Sequence, residues 1–386
     1  MTGTGRAAGR RPRLLYVGNT TYDLPLSTEL ARKWDSVADR VELRLIARAG
    51  DVKRDDPRFR LVRLPRPIAG GFHLTLPWIV AQEVRRFRPD VVLTQSPYEA
   101  LPVLGVLRTL RERPKLVVEI QGDWRSATRF YGSRSRRFFA SAADRAAALV
   151  LRRADGTRAI SDFTAALAEQ VTGRKPLATF PTYTNLESFI ADAPKPLPRL
   201  PTVGWIGSLQ PVKDPKTLAA AWRIVAGRLP EARAIIVGDG PLRQIIDALC
   251  AEFPNRVRRY PRLSPPEVAR VLDESTVLVL SSRSEGLGRV AIEAFARGRP
   301  VVGSAVGGIA NIVTPERNGL LVPPGNAREL ADAITRVLSD RGLAERLAAR
   351  ALADGKRLQW LPDRFAGAMR ELVDRALARA GPEALA

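Results

Sequence analysis

Short runs of aliphatic and β-branched residues recur at 14–17, 41–46, 60–64, 91–94, 116–120 and 157–160, bounded by polar, glycine or proline residues. Runs of that length and flanking chemistry predict strands. Between several of them lie longer segments, 27–34, 74–86, 99–113 and 135–153, that read as helices. Strand alternating with helix predicts a parallel sheet with helices on both faces. Residues 193–201, Ala-Pro-Lys-Pro-Leu-Pro-Arg-Leu-Pro, then place four prolines in nine positions. Neither a helix nor a central strand tolerates that density, so the stretch reads as a stiff linker between two domains. The alternation restarts with strands at 203–206, 234–237, 277–280, a run opened by Pro300, and 319–322. Helices are predicted at 218–228 and 242–253, and from 328 onward the chain is mostly helical, ending with 364–380. The break at Trp360-Leu-Pro362 can redirect that last helix toward the first half.

The pattern divides the chain into a disordered start (1–12), a first domain (13–192), the linker (193–201), a second domain (202–358) and a terminal helix within 359–386 that can cross back. The fold class is α/β, with two doubly wound, Rossmann-like parallel sheets. In open parallel sheets ligands bind beyond the carboxyl ends of the strands, so two such sheets facing each other form a cleft.

The most informative stretch runs from Ser281 to Ser304 and reads strand, loop, helix, strand. Gly286 and Gly288 let backbone approach a ligand without Cβ obstruction, and the N–H groups of the helix that follows favour an anion such as phosphate. Glu285 lies in the loop and Glu293 about one turn into the helix. Carboxylates do not bind phosphate; they accept hydrogen bonds from hydroxyls. A ligand with phosphates in the middle and hydroxyls at both ends, such as a nucleotide-sugar, meets both demands.

Composition narrows the alternatives. The 386 residues carry a net charge of +22, and residues 1–200 hold 35 Lys and Arg against 20 Asp and Glu. Such a field attracts nucleic acid, anionic lipid or phosphorylated substrates without choosing among them. Specific nucleic-acid binding lacks a reading motif and has few aromatics, at 6%. A basic stretch, Arg134, Arg136 and Arg137 beside Phe138 and Phe139 and ending in Arg152 and Arg153, has the composition of a surface that docks on anionic headgroups; a solvated helix face packed on the sheet is the competing reading. The single cysteine, Cys250, excludes an intrachain disulfide and a zinc cluster, and is expected to be buried and inert. His73, the only histidine, sits among Gly70, Gly71, Phe72 and Leu74 and reads as structural. No uncharged apolar stretch reaches spanning length and the N-terminal apolar run is too short for a signal-peptide core, so a cytoplasmic chain is expected. A dinucleotide dehydrogenase is disfavoured, because the first strand is followed by Gly18-Asn-Thr-Thr-Tyr-Asp23 and not by a Gly-x-Gly-x-x-Gly turn.

The motif Ser284-Glu-Gly-Leu-Gly-Arg-Val-Ala-Ile-Glu293 is followed by Ala-Phe-Ala-Arg-Gly-Arg-Pro-Val-Val, Val306-Gly-Gly-Ile309 and Asn318-Gly-Leu-Leu-Val-Pro-Pro-Gly325. With Ile206-Gly-Ser-Leu-Gln-Pro-Val-Lys213 and Val237-Gly-Asp-Gly-Pro-Leu242 it resembles the retaining GT-B glycosyltransferases of family 4, whose two Rossmann-like domains face each other across a cleft. Residues 153–164 and 180–189 resemble the family more weakly. The resemblance implies that Glu285 contacts the donor sugar, Glu293 the ribose hydroxyls, the N–H groups of Leu287 and Gly288 the sugar and diphosphate, and Lys213 the leaving diphosphate. It also places Gly207, Ser208, Gly238, Asp239, Gly286 and Arg289 on the donor side. Breaking the anomeric bond pushes negative charge onto a nucleoside diphosphate, which a lysine and a helix start can meet electrostatically, so no metal or other cofactor is expected.

This sequence departs from the family's pattern at three places. Ser208 stands where an arginine is common, so a two-cation clamp requires a substitute such as Arg283 or Arg289. Gln121-Gly122-Asp123 replaces a histidine before glycine; Gln121 can orient a sugar by hydrogen bonding, and Asp123 can take part in acceptor binding. Asn311 stands where glutamate is frequent. The implied partners are a nucleoside-diphosphate sugar, a glycan or lipid-linked acceptor, and an anionic membrane surface, as in envelope or exopolysaccharide assembly. A small soluble acceptor and a catalytically silent nucleotide-sugar binder are the alternatives.

Overall fold

The computed structural model describes residues 10–63, 71–130 and 140–379. The basic stretch 134–139 of the sequence analysis lies outside them. So does most of the start expected to be disordered, but Arg10 and Arg11 are engaged: Arg10 pairs with Asp90 at 3.0 Å and Arg11 donates to the Ala38 carbonyl.

Two parallel sheets form the frame. The first contains β1 (Arg13–Leu24), β2 (Glu42–Val52), β3 (Phe59–Val62), β4 (Val91–Thr94), β5 (Lys115–Ile120), β6 (Gly156–Ala159) and β7 (Ala178–Thr179), in the order β3-β2-β1-β4-β5-β6-β7. The second contains β8 (Thr202–Ile206), β9 (Arg233–Val237), β10 (Val257–Tyr260), β11 (Val277–Leu280), β12 (Val301–Ser304) and β13 (Gly319–Val322), in the order β10-β9-β8-β11-β12-β13. Every pairing within both sheets is parallel. Strand order reverses beside β1 in one sheet and beside β8 in the other, and a crevice opens at such a switch point.

Alternation along each strand explains why both faces are covered. Leu15 and Val17 of β1 enter a core with the helices Gly71–Phe87, Pro97–Leu107 and Ala140–Arg153, whereas Leu14 and Tyr16 point the other way, toward the helices Thr28–Ala38 and Pro362–Ala378. A strand buried on both sides must be apolar throughout, which is why these strands read as continuous apolar runs. The terminal helix packs Phe365, Ala366, Met369, Leu372, Val373 and Ala376 into the first half's core. Trp360 stacks on Phe180 at 5.8 Å where the chain returns.

Several elements differ from their predicted bounds. β1 runs on through Leu24, because after a register shift Thr21 and Tyr22 still pair with Arg48 and Ala49 of β2. The helix predicted over 99–113 is Pro97–Leu107: Ser96 caps its start by accepting from the Tyr98 N–H, and it ends at Arg108. β7 and β10 carry too few apolar residues in sequence to announce themselves and form by pairing, and the helix Pro265–Asp273 is absent from the predicted elements, although Ser264 and Glu267 form a capping box at its start. Cys250 is half-buried, not buried, and desolvation pushes its thiol pKa up.

The linker has no helix or strand and is bolted to the second half. Buried Arg297 pairs with Asp273 and donates to the carbonyls of Phe189, Asp192 and Ala193. Arg299, also buried, donates to the Lys195 carbonyl at 2.7 Å. A proline-rich segment offers carbonyls without matching N–H donors, and these guanidiniums satisfy them.

Candidate active site

The loop after β11 projects from the second half against the loop after β5 of the first. A Cβ on Gly286 would lie 1.8 Å from the Gln121 carbonyl oxygen, so only glycine permits this approach. Ser161 Oγ donates to the Gly286 carbonyl at 2.7 Å, Ser126 and Ser284 join through their hydroxyls at 3.1 Å, and the Phe163 N–H donates to Asn311 Oδ1 at 2.9 Å. Asn311 therefore links the two halves.

Between the halves lies a cavity of about 750 Å³. Glu285, Leu287, Gly288, Arg289 and Glu293 line it from the second half, with Lys213 and Gly207; Gln121, Glu119, Arg158 and Lys33 line it from the first. Gly288, at φ 80°, turns the chain through the left-handed region into the helix Arg289–Ala296, whose first N–H groups lack intrahelical partners. Glu293 sits about one turn further on; burial raises its carboxyl pKa to about 7, with Arg289 pulling the other way. A carboxyl poised there offers both donor and acceptor to a ligand hydroxyl.

Lys213 ends a short turn, Pro211–Lys213, pinned from two sides: Ser281 Oγ donates to the Lys213 carbonyl at 2.8 Å and the Arg283 N–H to the Val212 carbonyl at 2.8 Å. Asp214 then caps the helix Pro215–Arg228. The Lys213 ammonium donates to Glu285, so the proposed cation and carboxylate form one ion pair without ligand. Of the two arginines weighed as substitutes for the one missing at Ser208, Arg283 is tied to Asp214 and does not line the cavity. Arg289 lines it and, among the described residues, forms no hydrogen bond or ion pair.

The remaining sequence-predicted residues stand apart from the cavity wall. Gly238 and Asp239 lie in the loop after β9, beside the loop after β8, where Leu209 N–H donates to the Asp239 carbonyl. Ser208 is exposed and, like Gly238 and Asp239, does not line the cavity. Asp123 does not line it either and pairs with Arg125 at 2.8 Å, while Gln121 does and donates to Glu119 at 2.6 Å. His73 packs its ring on Phe72 and is also outside the cavity.

Sequence reasoning missed the first-half wall. Glu119 and Arg158 face each other across the β5–β6 pairing and form a buried ion pair; Arg158 also lies 3.9 Å from the Phe180 ring centroid and donates to the Phe180 and Pro181 carbonyls. Lys33 lies 4.0 Å from the Trp34 ring centroid and 5.0 Å from that of Phe365. Charged residues at strand interiors or mid-helix carry no motif; the charges inside the runs 116–120 and 157–160 were the available hints.

Two doubly wound parallel sheets facing each other across a cleft, with a terminal helix that returns to the first, define the GT-B fold. Residues 200–340 match the glycosyl transferases group 1 family and residues 26–182 the glycosyl transferase 4-like domain. The chain belongs to these glycosyltransferases. It is 34% identical over 171 residues to a D-inositol 3-phosphate glycosyltransferase of Nocardioides sp., a match covering 40% of this chain and 37% of that protein. It is 30% identical over 177 residues to an alpha-D-kanosaminyltransferase of Streptomyces kanamyceticus, covering 45% and 46%. Less than half the length of these relatives is thus matched. Among solved structures it resembles sucrose-phosphate synthase from Thermosynechococcus elongatus, with a TM-score of 0.72 at 22% identity over 92% of this chain and 97% of that one. It also resembles the Anabaena protein HepE solved with UDP and glucose, with a TM-score of 0.64 at 21% identity over 90% and 96%.

Proposed function

We propose that the protein transfers a sugar from a nucleoside-diphosphate sugar to an acceptor hydroxyl with retention of anomeric configuration. The observation that carries this reading is the placement of Glu285 and Glu293 on either side of the helix start at Gly288, with Lys213 beside them, in the cleft between the halves. Glu293 holds the ribose hydroxyls and Glu285 the donor sugar. The diphosphate displaces Glu285 from Lys213 and takes up the ammonium, the helix N–H groups and the Arg289 guanidinium, which meet the charge released on it without a cofactor. The anomeric carbon–oxygen bond breaks toward the diphosphate. The acceptor hydroxyl attacks from the same face and gives its proton to the departing diphosphate. Asp123, paired with Arg125 off the cavity wall, acts on the acceptor only through the loop it shares with Gln121.

A cytoplasmic enzyme of envelope glycan assembly, peripheral on an anionic membrane, suits the exposed Leu74 and Trp78, 77% and 63% exposed one turn apart on Gly71–Phe87, together with the basic first half. No helix among the described residues is long and apolar enough to cross a membrane. The relative named for D-inositol 3-phosphate favours a second reading, a small soluble acceptor.

The test is a melting-temperature screen across nucleoside diphosphates and their sugars, followed by turnover of the best donor. A ligand at a hundred times its Kd stabilises the fold by about 2.7 kcal/mol. Lys213→Ala is expected to lower turnover by roughly 10²–10³. Binding without release of nucleoside diphosphate from any donor would leave a silent binder, and unchanged turnover in Lys213→Ala would refute the assigned role.

A further inference from the structure

The first-half wall of the cleft contains a cation held by aromatic rings and, among the described residues, by no hydrogen bond or ion pair. Lys33, on the helix Thr28–Ala38, reaches the cavity through an aromatic box of Trp34, Phe365 and Tyr183, its Nζ 4.0, 5.0 and 5.9 Å from the three ring centroids. Among the described residues it forms no hydrogen bond or ion pair. The box engages the ammonium through π faces, and no side chain among the described residues accepts from it, so its N–H donors remain available to a ligand.

The nearest charges on this wall are committed to each other. Glu119 on β5 is engaged by Arg158 on β6 and by Gln121, and Arg158 also serves two backbone carbonyls. Tyr16 and Tyr22 of β1 also line this wall with pKa values raised by burial, that of Tyr22 to about 12, and so remain neutral; the Tyr183 pKa is raised as well. Glu29, on the same helix as Lys33, lines the cavity too. Across the cleft stands Arg289. Desolvation first, then Arg158 and Arg289, lower the Lys33 pKa to about 7, against the pull of Glu119. An unpaired ammonium held this way gains most from an anion.

We propose that this wall is a subsite for an acceptor bearing an oxyanion, a phosphate ester or a carboxylate, and that Lys33 is the residue that selects it. The proposal rests on the cleft reading above, in which the second half takes the donor and leaves this wall to the acceptor. The anion meets the Lys33 ammonium from the cavity side, while the rings of the box hold that ammonium from behind. A neutral polyol gains nothing from Lys33 and is discriminated against.

The experiment is calorimetric titration of protein saturated with its nucleoside diphosphate, so that the donor's anion site is filled. The probes are glucose 6-phosphate, glucuronate, inorganic phosphate and glucose. The expected result is binding of one or more of the three anions and no binding of glucose, with loss of at least about tenfold in affinity in Lys33→Met and retention in Lys33→Arg. At pH 8 the wild type takes up close to one proton per anion bound, seen by comparing two buffers of different ionisation enthalpy, and Lys33→Arg takes up none. Preference for glucose 6-phosphate over glucuronate identifies a phosphate ester, and the reverse a carboxylate. Equal binding of anion and glucose, equal anion affinity in Lys33→Met, or absence of proton uptake overturns the proposal. Loss of nucleoside diphosphate binding in Lys33→Met also overturns it, by moving Lys33 to the donor. Failure of the wild type to bind any nucleoside diphosphate instead removes the donor reading beneath it.

Discussion

Glu293 and Lys213 show how single side chains take their properties from the cleft. The Glu293 carboxyl is raised to about 7 chiefly by burial, so the native chain keeps a proton between the ordinary carboxyl range and that value, where the unfolded chain has lost it. Its contribution to stability is therefore full below the ordinary carboxyl pKa and is lost as pH rises through about 7. Glu293→Gln removes that loss. The melting temperature of the variant minus that of wild type is expected to grow from pH 5 to pH 8; a difference independent of pH would mean that the acid is solvated. Lys213 differs, because its ammonium is held in an ion pair with Glu285. The Glu-x7-Glu spacing made both acids legible in the sequence. Their surroundings were not legible: Asp123 was a candidate by its place at a strand end, and only the fold turned it to Arg125 and away from the cavity.

At the scale of elements, the loop after β11 and the linker depend on distant arginines. Arg297 and Arg299 follow the helix Arg289–Ala296 immediately and reach back to carbonyls at and before the linker, so the end of the helix that lines the cleft also holds the linker. Arg297→Ala leaves Asp273 buried without its main partner and frees three backbone carbonyls. Breaking a buried pair in this way costs roughly 3–5 kcal/mol. Urea unfolding of the variant checks it, and a loss under about 1 kcal/mol would show that the linker is held by other contacts. The sequence marked the linker by its prolines, a local property. It carried no sign that two arginines a hundred residues later would satisfy it, because a guanidinium in a loop looks the same whether its partner is water or a carbonyl. β7 and β10 were illegible for a related reason: Ala178–Thr179 and Val257–Tyr260 become strands through their neighbours in the sheet and not through their own apolar content.

For the whole molecule, charge and exposed apolar surface are both concentrated in the first half. Leu74 and Trp78 are exposed one turn apart on one helix, and residues 1–200 carry a net +15. Apolar anchors beside a basic field suit an anionic bilayer, and the electrostatic part weakens with salt. The protein is expected to sediment with vesicles containing anionic phospholipid at low ionic strength, less at high, and less again as the Leu74→Ser, Trp78→Ser double variant. Recovery entirely in the supernatant at low salt, or equal sedimentation of the double variant, would count against a membrane role for this face.

The sequence by itself determined what depends on local pattern: alternating strands and helices, the proline break between two such series, and a glycine loop flanked by two carboxylates at the start of a helix. Hydrophobic periodicity and backbone preference act over a few residues and are therefore written there. Only the tertiary structure decided which groups meet. It brought the Gly286 backbone against Gln121, sent the last helix back to the first core, set Arg158 against Glu119, and put Lys33 and Arg289 on opposite walls of one cleft. Those outcomes depend on distance and desolvation between segments far apart in the chain, which no local pattern encodes.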